Sequence, residues 1–154
     1  MNEIVTLDLG LEATPIHGGL WQGSAPPRGF TVGEAGFGLL VLCADNYQPR
    51  PDVFPGVDVW KCPFDDDFDN YPSRQVLKTA LTAANTAWGY LERGQPVLVT
   101  CWAGVNRSSL VTALTLHKML GISGPAAIDL IRSKRKALTN PMFVEALNRV
   151  AARG

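Results

Sequence analysis

Residues 97–109 read Val97-Leu-Val-Thr-Cys101-Trp-Ala-Gly-Val-Asn-Arg107-Ser-Ser109. Cys101 is a potential nucleophile if the chain holds it as a thiolate. Arg107 follows after five intervening residues. Its planar fork can grip two oxygens of a tetrahedral anion, which a lysine cannot do in the same way. Between them lie Trp102, Ala103, Gly104, Val105 and Asn106, and Gly104 allows a tight backbone turn. A tight loop entering a helix points successive N–H groups at one centre and forms a nest for an anion. The helix N-terminus adds positive potential at the same place. That field favours the thiolate, and Ser108 can donate to the sulfur and help it depart in a second step.

A cysteine and an arginine at this spacing can meet by chance, so the elements around them decide. Pro96-Val-Leu-Val-Thr100 is apolar and predicts a buried strand ending at Cys101. Gly38-Leu-Leu-Val-Leu-Cys43 predicts another strand covered on both faces. Val57-Asp-Val-Trp-Lys61 alternates and predicts a third, and Leu20-Trp-Gln22 is a candidate fourth. Ser73 can cap a helix running to about Glu92, with Gly94 ending it and Leu77, Leu81, Ala84, Trp88 and Leu91 on its apolar face. A second helix is expected over about 108–120, closed by Gly121. Ser123 and Pro125 start a short third, and Asn140-Pro141 starts a last one carrying Phe143, Leu147 and Val150 on one face. Proline and glycine cluster in 15–29 and 49–56, which read as surface loops. Strands alternating with helices predict an α/β fold with a central, mostly parallel sheet flanked by helices.

The bulk composition narrows the function. A chain of 154 residues fits one domain spanning 1–154 with a real hydrophobic core. Lys plus Arg and Asp plus Glu both number 14, so charge gives no reason to expect a nucleic acid partner. No apolar run approaches the length of a membrane span, and the N-terminus has no signal-peptide pattern. Cys43, Cys62 and Cys101 form neither an even set nor a CxxC pair, which argues against a disulfide framework and a zinc ribbon. A cytoplasmic protein with free thiols and no metal or cofactor is the expectation.

Cys-x5-Arg-Ser between a strand and a helix resembles the signature of the protein tyrosine phosphatases. The flanks resemble the dual-specificity branch. Leu20-Trp-Gln-Gly-Ser24 is similar to its early strand motif. Ile131-Arg-Ser-Lys-Arg135, with Asn140 and Phe143, is similar to its C-terminal helices. The resemblance covers about residues 16–150. It implies a cysteine-dependent phosphatase acting on phosphotyrosine, with phosphoserine and phosphothreonine as further substrates, through a phosphocysteine at Cys101. The partner it implies is a phosphorylated protein or peptide. The same chemistry on a phosphoinositide, sugar or RNA 5′ phosphate is the alternative, as is a catalytically weak phosphate-binding module. The loop interior carries no lysine, which disfavours a lipid bearing several phosphates.

An alkoxide or phenolate is a poor leaving group and needs a proton as it departs. The family supplies an Asp three positions after a proline. In Cys62-Pro-Phe-Asp-Asp-Asp67 that pattern selects Asp66, with Asp65, Asp67 and Asp69 as neighbours that could be mistaken for it. The family usually has a histidine before the nucleophile, where this chain has Thr100. Leu42-Cys-Ala-Asp45 is similar to a segment of phosphoinositide 3-phosphatases whose cysteine can form a reversible disulfide with the nucleophile, which makes Cys43 a candidate redox partner. Trp102 is a candidate for the pocket mouth, and Arg50, Arg74 and Tyr71 are candidate substrate contacts.

Overall fold

Five strands and four helices follow one another in a computed structural model that describes residues 11–26, 35–44, 54 and 56–153. Asp45, Arg50 and most of the 49–56 segment lie outside the described residues. The strands are β1 (Ala13–His17), β2 (Leu20–Ser24), β3 (Leu39–Leu42), β4 (Asp58–Lys61) and β5 (Val97–Cys101). The helices are α1 (Arg74–Glu92), α2 (Arg107–Leu120), α3 (Gly124–Arg132) and α4 (Pro141–Asn148). The sheet order is β1-β2-β5-β3-β4; only the β1–β2 pair is antiparallel.

Alternation along β3 and β5 explains why both read as continuous apolar runs. Leu39, Val41, Val97, Val99 and Cys101 face a large core to which all four helices contribute. Leu40, Leu42 and Leu98 face a smaller core shared with Leu11, Phe37 and Phe54. With no face left to solvent, a period-two pattern has no reason to appear. The described helices therefore gather on one side of the sheet.

The segment read as a loop over 15–29 contains most of a hairpin. Gly18 and Gly19 both have positive φ, 54° and 88°, which suits a two-residue turn between antiparallel strands. Pro15 is tolerated because β1 is an edge strand with an irregular register between Pro15 and His17.

Helix ends follow the expected capping. Ser73 accepts from the Val76 amide, Ser123 from Ala126, and Asn140 from Met142 and Phe143. Gly121 closes α2 at φ 69°. The buried stripe of α1 differs from the expected one. It is Ala80, Ala83, Ala84 and Ala87, while Leu81 is 43% exposed. The small residues let α1 lie close against the core, and the larger apolar side chains spread to its sides.

Candidate active site

β5 delivers Cys101 from the sheet interior, and α2 starts at Arg107. The six-residue step between them is forced into shape at Gly104, whose φ is 69°. A Cβ there would lie 2.6 Å from the Gly23 carbonyl carbon and 2.5 Å from the Arg135 guanidinium. Only glycine fits this turn, packed between β2 and Arg135. Arg135 is fixed in place by an ion pair to Glu12 at 2.9 Å and a bond to the Gln22 carbonyl at 2.7 Å. Burial raises the Glu12 pKa, but its hydrogen bond and charge pairing with Arg135, with help from Ser24, outweigh this and hold the carboxyl below its usual value.

The start of α2 suits an anion. Asn106 occupies the capping position but makes no side-chain bond to the first turn. Its buried side chain bonds Asp66, Thr139 and the Asn140 amide instead, and no side chain among the described residues is seen to cap those amides. Arg107 adds a buried Nε with no hydrogen-bond partner among the described residues. An oxyanion would satisfy such an orphaned donor. Cys101 is buried, and its Sγ lies 3.3 Å from Ser108 Oγ. Ala103, Val105 and Trp102 complete the loop. The Val105 carbonyl accepts from the Leu138 amide at 2.8 Å, and Trp102 is 57% exposed.

Asp66 is the one aspartate of the 65–69 stretch that hydrogen bonds among the described residues tie to this loop. Asn106 Nδ2 donates to its Oδ2 at 3.1 Å, and Asn140 Nδ2 donates to its Oδ1 at 2.8 Å. Asn106 Oδ1 in turn accepts from the Asn140 amide at 2.9 Å. Two asparagines thus join the loop, the acid segment and the start of α4. Asp67 serves its own turn, accepting from Asn70 and the Asp69 amide; the Asn70 side chain leads in lowering its pKa. Asp65 and Asp67 line a separate cleft with Tyr71, Ser73 and Phe143. Tyr71 lies under the Arg149 guanidinium.

Sequence reasoning missed three supports. The sequence reading gives Asn140 as a helix cap and part of the C-terminal resemblance, and Asn106 as a member of the loop, with no contact between them. Gln22, fully buried on β2, was read only as part of a motif. Its Nε2 reaches the Gly104 carbonyl at 3.0 Å, Ser108 Oγ at 3.2 Å and Ser109 Oγ at 2.7 Å. Thr100, where a histidine was expected, donates its hydroxyl to the Val41 carbonyl at 2.9 Å and so braces β5 against β3. Cys43 lies beside the loop, its amide bonded to the Thr100 carbonyl. Its Sγ is 3.8 Å from that of Cys62. Burial pushes the Cys43 thiol well up; Cys62 and Cys101 add to this, and Arg107 opposes it.

A strand, a Cys-x5-Arg loop and a helix on a mostly parallel sheet define a phosphatase fold. No protein-family model matches the chain. Protein tyrosine phosphatase PRL-1 of Leishmania major is 33% identical over 107 residues, covering 66% of this chain. The match spans 60% of that relative's length. Human DUSP28 superposes with a TM-score of 0.73 at 26% identity, over 88% of this chain and 94% of that one. A mouse dual specificity phosphatase complexed with zinc tungstate superposes with a TM-score of 0.77 at 25% identity, over 97% and 89%. PTPMT1, at 21% identity, TM-score 0.73 and coverage of 88% and 91%, shares the fold. These likenesses support the dual-specificity branch of the protein tyrosine phosphatase superfamily as the group this chain resembles. No helix among the described residues is long and apolar enough to cross a membrane.

Proposed function

We propose that this chain hydrolyses phosphate monoesters of tyrosine, and of serine and threonine as a second class, through a phosphocysteine at Cys101. One observation carries the reading. A buried sulfur in contact with a hydroxyl sits at the foot of an uncapped helix whose first residue, Arg107, holds a buried unpartnered Nε. A phosphoryl group completes every part of that arrangement.

In the first step the thiolate of Cys101 attacks phosphorus in line, and Asp66 gives its proton to the departing oxygen. In the second, water attacks phosphorus, Asp66 takes one of its protons, the S–P bond breaks and the sulfur keeps the electron pair. Arg107 and the amides of residues 102–108 hold the equatorial oxygens through both. These steps use a thiol, a guanidinium and a carboxyl and call on no metal.

The substrate class rests on charge and shape. Residues 102–106 bring no cation, and Asp65, Asp67 and Asp69 flank the acid. Extra phosphates on an inositol ring would meet no compensating charge there. Exposed Trp102 and Phe68 offer flat apolar faces to an aryl group. Three buried free cysteines suit a reducing compartment, so the proposed location is the cytoplasm.

The test compares the wild type with Cys101→Ser and Asp66→Ala on a phosphotyrosine peptide, p-nitrophenyl phosphate, a phosphoinositide and an RNA 5′ phosphate. Cys101→Ser should abolish turnover. Asp66→Ala should lose about 10²–10⁴-fold on phosphotyrosine and far less on a substrate with a good leaving group. Equal losses on both would remove Asp66 as the acid. Faster turnover of the lipid or RNA phosphate than of the peptide would overturn the substrate class.

A further inference from the structure

Gln22 is a polar side chain with zero exposure on a central strand, among Leu20, Val97 and Val99. Burying an amide costs free energy unless its bonds do something for the fold or the site. Its placement shows which atoms it serves. Nε2 lies 3.0 Å from the Gly104 carbonyl, which can only accept. That contact fixes which end of the amide faces the loop, and a primary amide nitrogen can only donate.

The consequence falls on Ser108. A serine early in a helix ordinarily gives its proton to the carbonyl four residues back. Ser109 does so, donating to the Val105 carbonyl at 2.6 Å. The equivalent acceptor for Ser108 is the Gly104 carbonyl, which accepts from Gln22 instead; among the described residues Ser108 makes no bond to it. Ser108 Oγ also lies 3.2 Å from Gln22 Nε2, which cannot accept its proton. Ser108 Oγ lies 3.3 Å from Cys101 Sγ; the thiol donates across that contact, and once the sulfur is a thiolate the hydroxyl becomes the donor.

We infer that Gln22 is a positioning residue: by competing for the Gly104 carbonyl and placing an N–H group beside Ser108 Oγ, it biases the Ser108 O–H to point at the Cys101 thiolate. The kinetic part of this rests on the phosphatase reading above. When the S–P bond breaks, the sulfur keeps the electron pair, and an already aimed O–H stabilises the charge without reorganisation. Two outcomes follow. The thiolate is favoured in the resting enzyme, and breakdown of the phosphocysteine is accelerated over its formation.

The test is a double-mutant cycle of Gln22→Met and Ser108→Ala with two readouts. The first is the rate at which iodoacetamide alkylates Cys101 at pH 6, with Cys101→Ser as the blank; it needs no turnover. The second is the rate of phosphocysteine breakdown, followed as steady-state release after a p-nitrophenol burst. Gln22→Met keeps the length and apolar fit but removes the donors. It should slow each rate by about 5–20-fold, the worth of one aimed hydrogen bond to a charged atom. In the Ser108→Ala background it should change either rate by less than about twofold, because its route is gone. Gln22→Glu presents acceptors to both serines, draws the Ser108 proton away from sulfur, and should slow breakdown more than Gln22→Met does. Equal slowing by Gln22→Met in both backgrounds would make Gln22 a packing residue and overturn the inference. A positive alkylation cycle in a protein without phosphatase activity would keep Gln22's role and sink the function. Turnover with no coupling would do the reverse.

Discussion

Asn140→Asp changes one atom type at the point where Asp66, the proposed general acid, is held. The wild-type amide donates to Asp66 Oδ1 at 2.8 Å and to the Asp67 carbonyl at 3.0 Å, while its oxygen caps α4. Aspartate caps a helix as well as asparagine does, so α4 should keep its start. The donor facing Asp66 becomes a second carboxylate. Two unit charges 2.8 Å apart repel by about 1.5 kcal/mol at the dielectric of water and about 6 kcal/mol at an effective value of 20. Asp66 is half-buried, so the lower part of that range applies, about 1.5–3 kcal/mol. At about 1.4 kcal/mol per pH unit, the pair should hold its proton one to two units higher than the single acid does. The two carboxyls then titrate as a pair.

The readout is kcat/KM against pH on a phosphotyrosine peptide. The rate on the basic side falls as the general acid loses its proton, so that limb should move up by about one to two units. The sign for stability is the same. A pair whose proton affinity is higher folded than unfolded destabilises the protein at neutral pH. That deficit shrinks as pH falls from the raised folded value towards the ordinary carboxyl value, and is gone below it. Melting curves at pH 7 and pH 5 should therefore converge with the wild type on the acid side. A basic limb that stays in place, or a uniform loss of rate at every pH, would refute the assignment of Asp66 and its contact with Asn140.

Gly104→Ala puts a Cβ 2.6 Å from the Gly23 carbonyl carbon at a φ of 69°. We expect a loss of about 3 kcal/mol or more, seen as a melting point lower by about 6–12 °C. Glu12 is held below its ordinary pKa by Arg135, so its contribution is present above about pH 4.3 and disappears as pH falls through the folded value. Glu12→Gln should lower the melting point at pH 7 by a small amount, because the site is more than half exposed, and by nothing at pH 3. Peroxide treatment should yield a Cys43–Cys101 linked peptide by mass spectrometry, through a sulfenic acid on Cys101 that condenses with Cys43 and releases water. Recovery of a Cys43–Cys62 peptide alone would reassign the redox partner to the sulfur already 3.8 Å away.

Local rules carried the reading wherever one segment determines its own shape. The β5–loop–α2 unit was legible because strand, glycine, hydroxyl and helix are contiguous, and Ser73, Gly121, Ser123 and Asn140 act within a turn of themselves. The strand at Leu20–Gln22 was legible and is β2, but its partner β1 was missed although Gly18-Gly19 is a turn signal, because Pro15 and the nearby glycines and prolines suggested a loop. The α1 face was misjudged because side-chain size was taken for depth, whereas close approach to the core selects alanine. Gln22, Asn106 and Asn140 were beyond reach for a different reason. Gln22 meets Ser109 across 87 positions, and Asn106 meets Asn140 across 34. No spacing rule covers such meetings; the sheet order and the docking of α4 create them.

Asn106 spends its side chain on Asp66 and Asn140 and leaves its own helix bare at the first turn. Whatever anion settles there takes over the task a cap performs in other helices. The folded state then gains free energy with every rise in oxyanion concentration, by mass action alone. On the proposed function, product and substrate would compete for that gain, so inorganic phosphate is expected both to steady this protein and to slow it. Melting points measured in phosphate and in a buffer with no oxyanion therefore describe two different molecules.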